Sequence, residues 1–276
     1  MSRVVKVDVS PGDKWLFPGD IHFDQQDDEA LHLMTSIAVS EGVSGICLIG
    51  DTHNSLGISR HLSLRAARHY RNGEGTIRAE RLAAEPHFNR WKTHFSKFLA
   101  LEGNHEKWWL GVQNDYPGLL DTNWYELYGD LYNGVHVYNE NTALKFGPLL
   151  AMHGHRARGS LAKKSAATVL QNYPGQNTIY GHTHRIESCT TPTYKDCRPT
   201  EHGAWTIGHM RDREKELDDP DIGPYAERHQ QGFAIVTFFD RGDGTLGFDV
   251  DQVRVQRDSN DKPLCVVGGR VYRHDD

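Results

Sequence analysis

Residues 46–54 read Ile46-Cys47-Leu48-Ile49-Gly50-Asp51-Thr52-His53-Asn54. An apolar run that stops at a glycine and passes at once into acid, imidazole and amide side chains is the pattern of a buried strand ending in a loop that carries chemistry. The pattern recurs four times. Trp15-Leu16-Phe17 leads to Asp20-Ile21-His22, and Phe98-Leu99-Ala100-Leu101 leads to Gly103-Asn104-His105-Glu106. Leu149-Leu150-Ala151-Met152 leads to His153-Gly154, and Thr178-Ile179-Tyr180 to Gly181-His182-Thr183-His184. Strands that all end this way bring donors from five distant segments to one sheet edge, and donors of these types make a two-metal site.

The rest of the chain supplies the frame. Asp27-Asp28-Glu29 opens a helix of about fifteen residues, with acids at its positive N-terminus and Leu31, Met34, Ile37 and Ala38 as an apolar stripe. Strands are expected at 135–138, 143–146 and 149–152. Ser160 is the expected cap of a helix from Leu161 to about Asn172. Phe233–Phe239, the turn 240–244 and Leu246–Val255 form a hairpin. Residues 55–90 are longer than a crossover helix requires, and the Gly73-Glu74-Gly75 break divides them into two helical pieces, the second near 78–97. Residues 209–230, charged and interrupted by proline, read as a surface loop or lid. The whole, residues 1–276, is expected to be one domain of α/β class.

The five motifs, in this order from residue 20 to residue 184, resemble those of the calcineurin-like metallophosphoesterases. The resemblance implies a layered αββα sandwich of two mixed sheets flanked by helices. It also implies a dinuclear metal centre that activates water to hydrolyse a phosphoester, with the ions about 3.5–4 Å apart. Carried over residue by residue, one ion falls to Asp20, His22, Asp51 and His184. The other falls to Asp51, Asn104, His153 and His182, with Asp51 shared. Mixed imidazole and oxygen donors suit Mn²⁺ first, with Fe, Zn²⁺ or Ni²⁺ as alternatives, better than Mg²⁺ or Ca²⁺. His105 matches the family's non-ligand histidine that protonates the leaving oxygen. His153 is preferred to His155 as ligand because it directly ends its strand.

The chain departs from part of that family. Asn54 stands where the protein phosphatases place an Asp that orients and charges this histidine, so its side chain is expected to orient His105 in catalysis without charging it; the Asp-Arg-Gly continuation is missing, and Glu102 replaces an Arg. These departures speak against a phosphoprotein phosphatase and lean towards a phosphodiester of a nucleotide or nucleic acid. A phosphomonoesterase acting on a small metabolite or nucleotide is the alternative, and a non-catalytic binding protein on the same fold a more distant one.

Composition narrows the partners. Thirty-one basic residues against 37 acidic ones give a net charge of −6, so the surface as a whole is not a polyanion binder. Charge is uneven, however: seven arginines, Arg60, Arg65, Arg68, Arg71, Arg78, Arg81 and Arg90, stand against three glutamates between residues 54 and 91. A second basic run, Arg156, Arg158, Lys163 and Lys164, follows His153. Arg156 and Arg158, close to a ligand, are expected to contact substrate, and His53, beside Asp51, to face the pocket. Trp108 and Trp109 are placed to stack on a base, although tryptophan pairs more often pack. No apolar run approaches the ~20 residues a membrane helix needs, and the N-terminus lacks a signal-peptide core. A cytoplasmic location with reduced thiols is therefore expected, with Cys47 and Cys265 in the core and Cys189 and Cys197 facing across a hairpin without bonding.

Overall fold

Strand Lys14–Pro18 (β2) is buried along nearly its whole length, as a strand covered on both faces must be. In the computed structural model, which describes residues 3–58, 75–118, 121–157, 165–195, 198–218 and 226–274, it lies at the centre of a six-stranded sheet. Gly45–Leu48 (β3), Lys97–Leu101 (β4) and His136–Tyr138 (β5) follow it in parallel, while Gly232–Asp240 (β11) and Leu246–Arg254 (β12) complete the sheet antiparallel on its other side. The second six-stranded sheet has the order Arg3–Val7 (β1), Thr142–Phe146 (β6), Leu149–Met152 (β7), Asn177–Tyr180 (β8), Arg198–Ile207 (β10), Ile186–Lys195 (β9). Both sheets are mixed. Three short strands, Gln256–Arg257 (β13), Pro263–Val267 (β14) and Arg270–Arg273 (β15), form a small sheet near the C-terminus.

The layers follow from which faces are apolar. Between the sheets, Trp15, Phe17, Cys47, Ile49 and Leu99 from one pack against Leu144, Phe146, Leu149 and Ile179 from the other, with Phe146 edge-on to Trp15 at 4.8 Å between ring centres. On the outer face of the first sheet lie helices Asp28–Ser40 (α1) and Ile77–His94 (α2), whose buried side chains meet Leu16, Ile46, Leu48 and Phe98. Helix α1 begins where the Asp27 carboxylate accepts the Ala30 N–H at 3.0 Å, and Leu31, Met34, Ile37 and Ala38 are buried. A shorter helix, Ala166–Asn172 (α4), covers the second sheet through Val169 and Leu170. The arrangement is the αββα sandwich. Among the described residues, no helix is long and apolar enough to cross a membrane.

Several local expectations change. Helix α4 is capped by Ser165, which accepts the Thr168 N–H, rather than by Ser160; residues 158–164 lie outside the described residues, as do 59–74 with Arg60, Arg65, Arg68 and Arg71. Cys189 stands opposite Ala204 in the β9–β10 register; Cys197 lies outside the described residues. The largest change concerns residues 209–216, which are not a surface loop. His209, Met210, Arg211 and Glu216 are buried, and helix Arg213–Asp218 (α5) holds Glu216 against the core. Of the charge that suggested solvent, Arg211 and Glu216 are buried while Arg213, Glu214 and Lys215 are exposed; residues 219–225 of the expected loop lie outside the described residues.

Candidate metal centre

Each motif leaves the C-terminal end of a strand: β2 delivers Asp20 and His22, β3 Asp51, β4 Asn104 and His105, β7 His153, and β8 His182 and His184. Strand ends that point the same way set down their loops side by side. His22, Asp51, His182 and His184 all have positive φ, between 47° and 68°, a region that side chains with a Cβ rarely adopt and that is held here by the surrounding packing. Glycines make room. A Cβ on Gly103 would overlap the Asp51 carboxylate, and one on Gly181 the carboxylate of Asp20.

The donors form two groups. Asp20, His22 and His184 offer ligand atoms within 4.8 Å of one another, and so do Asp51, His153 and His182. His22 Nε2 lies 3.2 Å from His184 Nε2, and His184 Nε2 lies 3.4 Å from Asp20 Oδ2. In the second group His153 Nε2 lies 3.2 Å from Asp51 Oδ2 and 3.1 Å from Asn104 Oδ1. Asp51 also closes a group with His22 and His105, which links the two halves. Buried donors aimed at one another across 3 Å, together with an Asp20 Oδ1 that has no hydrogen-bond partner, are what a cation-binding cluster requires; these residues could hold metal ions.

Electrostatics point the same way. Burial opposes protonation of His153 and His184, yet the carboxylates outweigh it. Asp51 and Asp20 carry His153 up to about 9, and Asp20 and Glu216 carry His184 to about 9. The buried carboxylates draw positive charge into the cluster. His22 is pushed well below its usual value, by burial first and then by the charges of His105 and Arg211.

The loops are fixed by groups that spacing alone did not single out. The Glu106 carboxylate accepts three backbone N–H groups, from Asp51 at 3.0 Å, His53 at 2.9 Å and Gly103 at 2.8 Å. It thereby locks the loop that presents Asp51; burial, reinforced by Asp51, pushes its carboxyl up to about 7. Glu216 meets His184 Nδ1 at 3.2 Å, His229 Nδ1 at 2.8 Å and His209 Nε2 at 3.2 Å. Arg211 is 1% exposed, and its charge lowers both His22 and His105. A Glu or Arg in a charged stretch gives no periodic signal, so Glu216 and Arg211 were illegible until the fold placed them.

Three expectations are corrected. His105 Nδ1 donates at 2.5 Å to the backbone carbonyl of Asn54, not to its side chain, whose amide reaches Asp24 Oδ1 at 3.4 Å. His53 is fully buried: its ring stacks on Tyr128 at 3.9 Å between centres and its Nε2 meets Tyr132 Oη at 2.8 Å, so it is a core residue rather than a pocket wall. Arg156 is committed to Glu140, as is His155 Nε2 at 2.9 Å, and does not stand ready for substrate; Arg158 lies outside the described residues. Trp109 is buried, whereas Trp108 is half-buried with its ring 4.2 Å from that of His105.

The architecture is the layered sandwich of two mixed sheets that the resemblance implies. No protein-family model matches the sequence, and no curated protein matches it. Solved structures do. A single mutant of Vps29 from Entamoeba histolytica is 12% identical, with 94% of this chain and 96% of that chain covered and a TM-score of 0.40. The phosphoesterase Yfce from E. coli is 15% identical, with 87% and 98% covered and a TM-score of 0.41. An archaeal phosphodiesterase is 13% identical, with 86% and 99% covered and a TM-score of 0.36. Nothing about this chain's activity follows from likenesses of that size, and activity must be argued from the site.

Proposed function

We propose that this chain is a metal-dependent phosphoester hydrolase whose first choice of substrate is a phosphodiester. The observation that supports it is the convergence of seven donor residues from five loops into two largely buried groups that Asp51 links through His22. In this reading Asp20, His22, Asp51 and His184 hold one divalent ion, and Asp51, Asn104, His153 and His182 the other. Such ions supply a hydroxide-like nucleophile near neutral pH and neutralise charge on phosphoryl oxygens. Imidazole and oxygen donors together favour Mn²⁺, with Fe, Zn²⁺ and Ni²⁺ as competitors.

The protein's own residues do the rest. The Asn54 carbonyl fixes His105 with its proton on Nδ1, which leaves Nε2 on the side of Asp51, 3.9 Å from Oδ2. When Nε2 is protonated as well, His105 as the imidazolium can donate to a phosphoryl oxygen there and pass that proton to the leaving one, returning to the neutral Nδ1–H ring. A neutral carbonyl, unlike a carboxylate, adds little to the basicity of the ring. That suits esters with good leaving groups and underlies the preference for diesters.

The test is a panel of aryl monoesters, aryl diesters, cyclic nucleotides and DNA or RNA strands, assayed with Mn²⁺. Faster turnover of diesters than of monoesters with the same leaving group is expected. A monoester preference would overturn the substrate assignment while leaving the metal centre in place.

A further inference from the structure

Beside Glu216, a cavity of about 300 Å³ opens between α5 and the end of β12. Its lining is cationic. Arg213 from α5, Arg254 from β12 and Arg257 from β13 surround it together with His229, and Glu216 is the one carboxylate among its described lining residues. That carboxylate is already engaged by the imidazoles of His184, His209 and His229. Arg257 is likewise committed, to Asp27 and to the Asp261 carbonyl.

Arg213 and Arg254 differ. Both are exposed, and neither makes an ion pair among the described residues. Two guanidinium groups from separate elements lining one concavity, with no carboxylate left over between them among the described residues, concentrate positive potential there. Guanidinium groups pair bidentately with phosphate. His229, whose Nδ1 faces Glu216, also lines the cavity.

We propose that this cavity is a second anion site, separate from the metal centre, that takes the phosphate group of a small organic phosphate between Arg213 and Arg254. Its volume is several times that of a phosphate ion, which leaves room for the organic part. The site adjoins the centre through a chain of contacts, His229 to Glu216 to His184, while Arg213 and Arg254 belong to the cavity alone. The proposal goes beyond the hydrolase reading and does not depend on turnover.

Inorganic phosphate is the probe, titrated calorimetrically into the metal-loaded full chain. Wild type should show two binding events. The Arg213→Gln/Arg254→Gln double variant should keep its thermal midpoint and weaken one event by about tenfold or more, while Asp51→Asn should keep that same event. An isotherm for the double variant that matches wild type overturns the proposal, as does a single event that Asp51→Asn abolishes. Because the readout is binding, failure here is distinct from failure of the hydrolase reading.

Discussion

His184 stands between two carboxylates, with Nε2 3.4 Å from Asp20 Oδ2 and Nδ1 3.2 Å from Glu216 Oε1. A ligand imidazole usually gives its second nitrogen to such an acceptor, which fixes the tautomer and the ring plane, and losing the acceptor typically costs about 10–100-fold in metal affinity. Glu216→Gln is therefore expected to weaken binding of one ion by that factor and leave the other nearly unchanged. A competitive metal titration reads this; equal affinities in variant and wild type would remove Glu216 from the account.

Glu106 acts on the other half of the centre. It is 1% exposed and accepts three N–H groups. Glu106→Ala strands those donors without water, so a loss of about 2–5 kcal/mol in unfolding free energy is expected. Chemical denaturation measures it, and a loss below about 1 kcal/mol would mean that the loop holds itself.

The contact between His105 and the Asn54 backbone separates two substitutions. Asn54→Ala keeps the carbonyl and should change kcat by less than about threefold, whereas His105→Ala should lower it by about 10²-fold or more, most severely for alkyl esters with poor leaving groups. Steady-state rates on an aryl and an alkyl diester decide this. Comparable damage from the two variants would restore a role for the Asn54 amide.

Much of this was legible in the sequence, for physical reasons. Strands buried on both faces must be apolar, and a Gly-Asp or His-Gly after such a run marks where a strand stops, so β3, β7 and β8 and the residues beyond them could be placed. Local neighbourhood misled elsewhere. His53 is two residues from Asp51, but the loop turns it onto Tyr128. Arg156 is three residues from His153, but Glu140, from the loop before β6, captures it. Residues 209–216 looked solvated because burial of Glu216 depends on His209 and His229, and burial of Arg211 on a neighbourhood that no local pattern encodes.

Glu140 gives a pH prediction. Burial tends to raise its carboxyl, but Arg156 and His155, helped by Lys107, hold it down to about 2. An unfolded glutamate titrates near about 4.3. The folded value is the lower one, so the contribution to stability is complete above the unfolded pKa and disappears as pH falls towards about 2. Thermal midpoints of wild type and Glu140→Gln should thus differ in favour of wild type at pH 6 and converge across that acid window. A gap that stays constant down to the folded value would show that the pair contributes packing and not charge.

The most direct test of the dinuclear hydrolase is the hydrolysis of an aryl phosphodiester by the same preparation, exhaustively chelated and then restored with Mn²⁺, in wild type and in Asp51→Asn. Asp51 groups with His153 and His182 and also with His22 and His105, so wild type should be silent when chelated and active when restored, and Asp51→Asn silent in both states. Undiminished hydrolysis after chelation, or full activity in Asp51→Asn, would contradict the account.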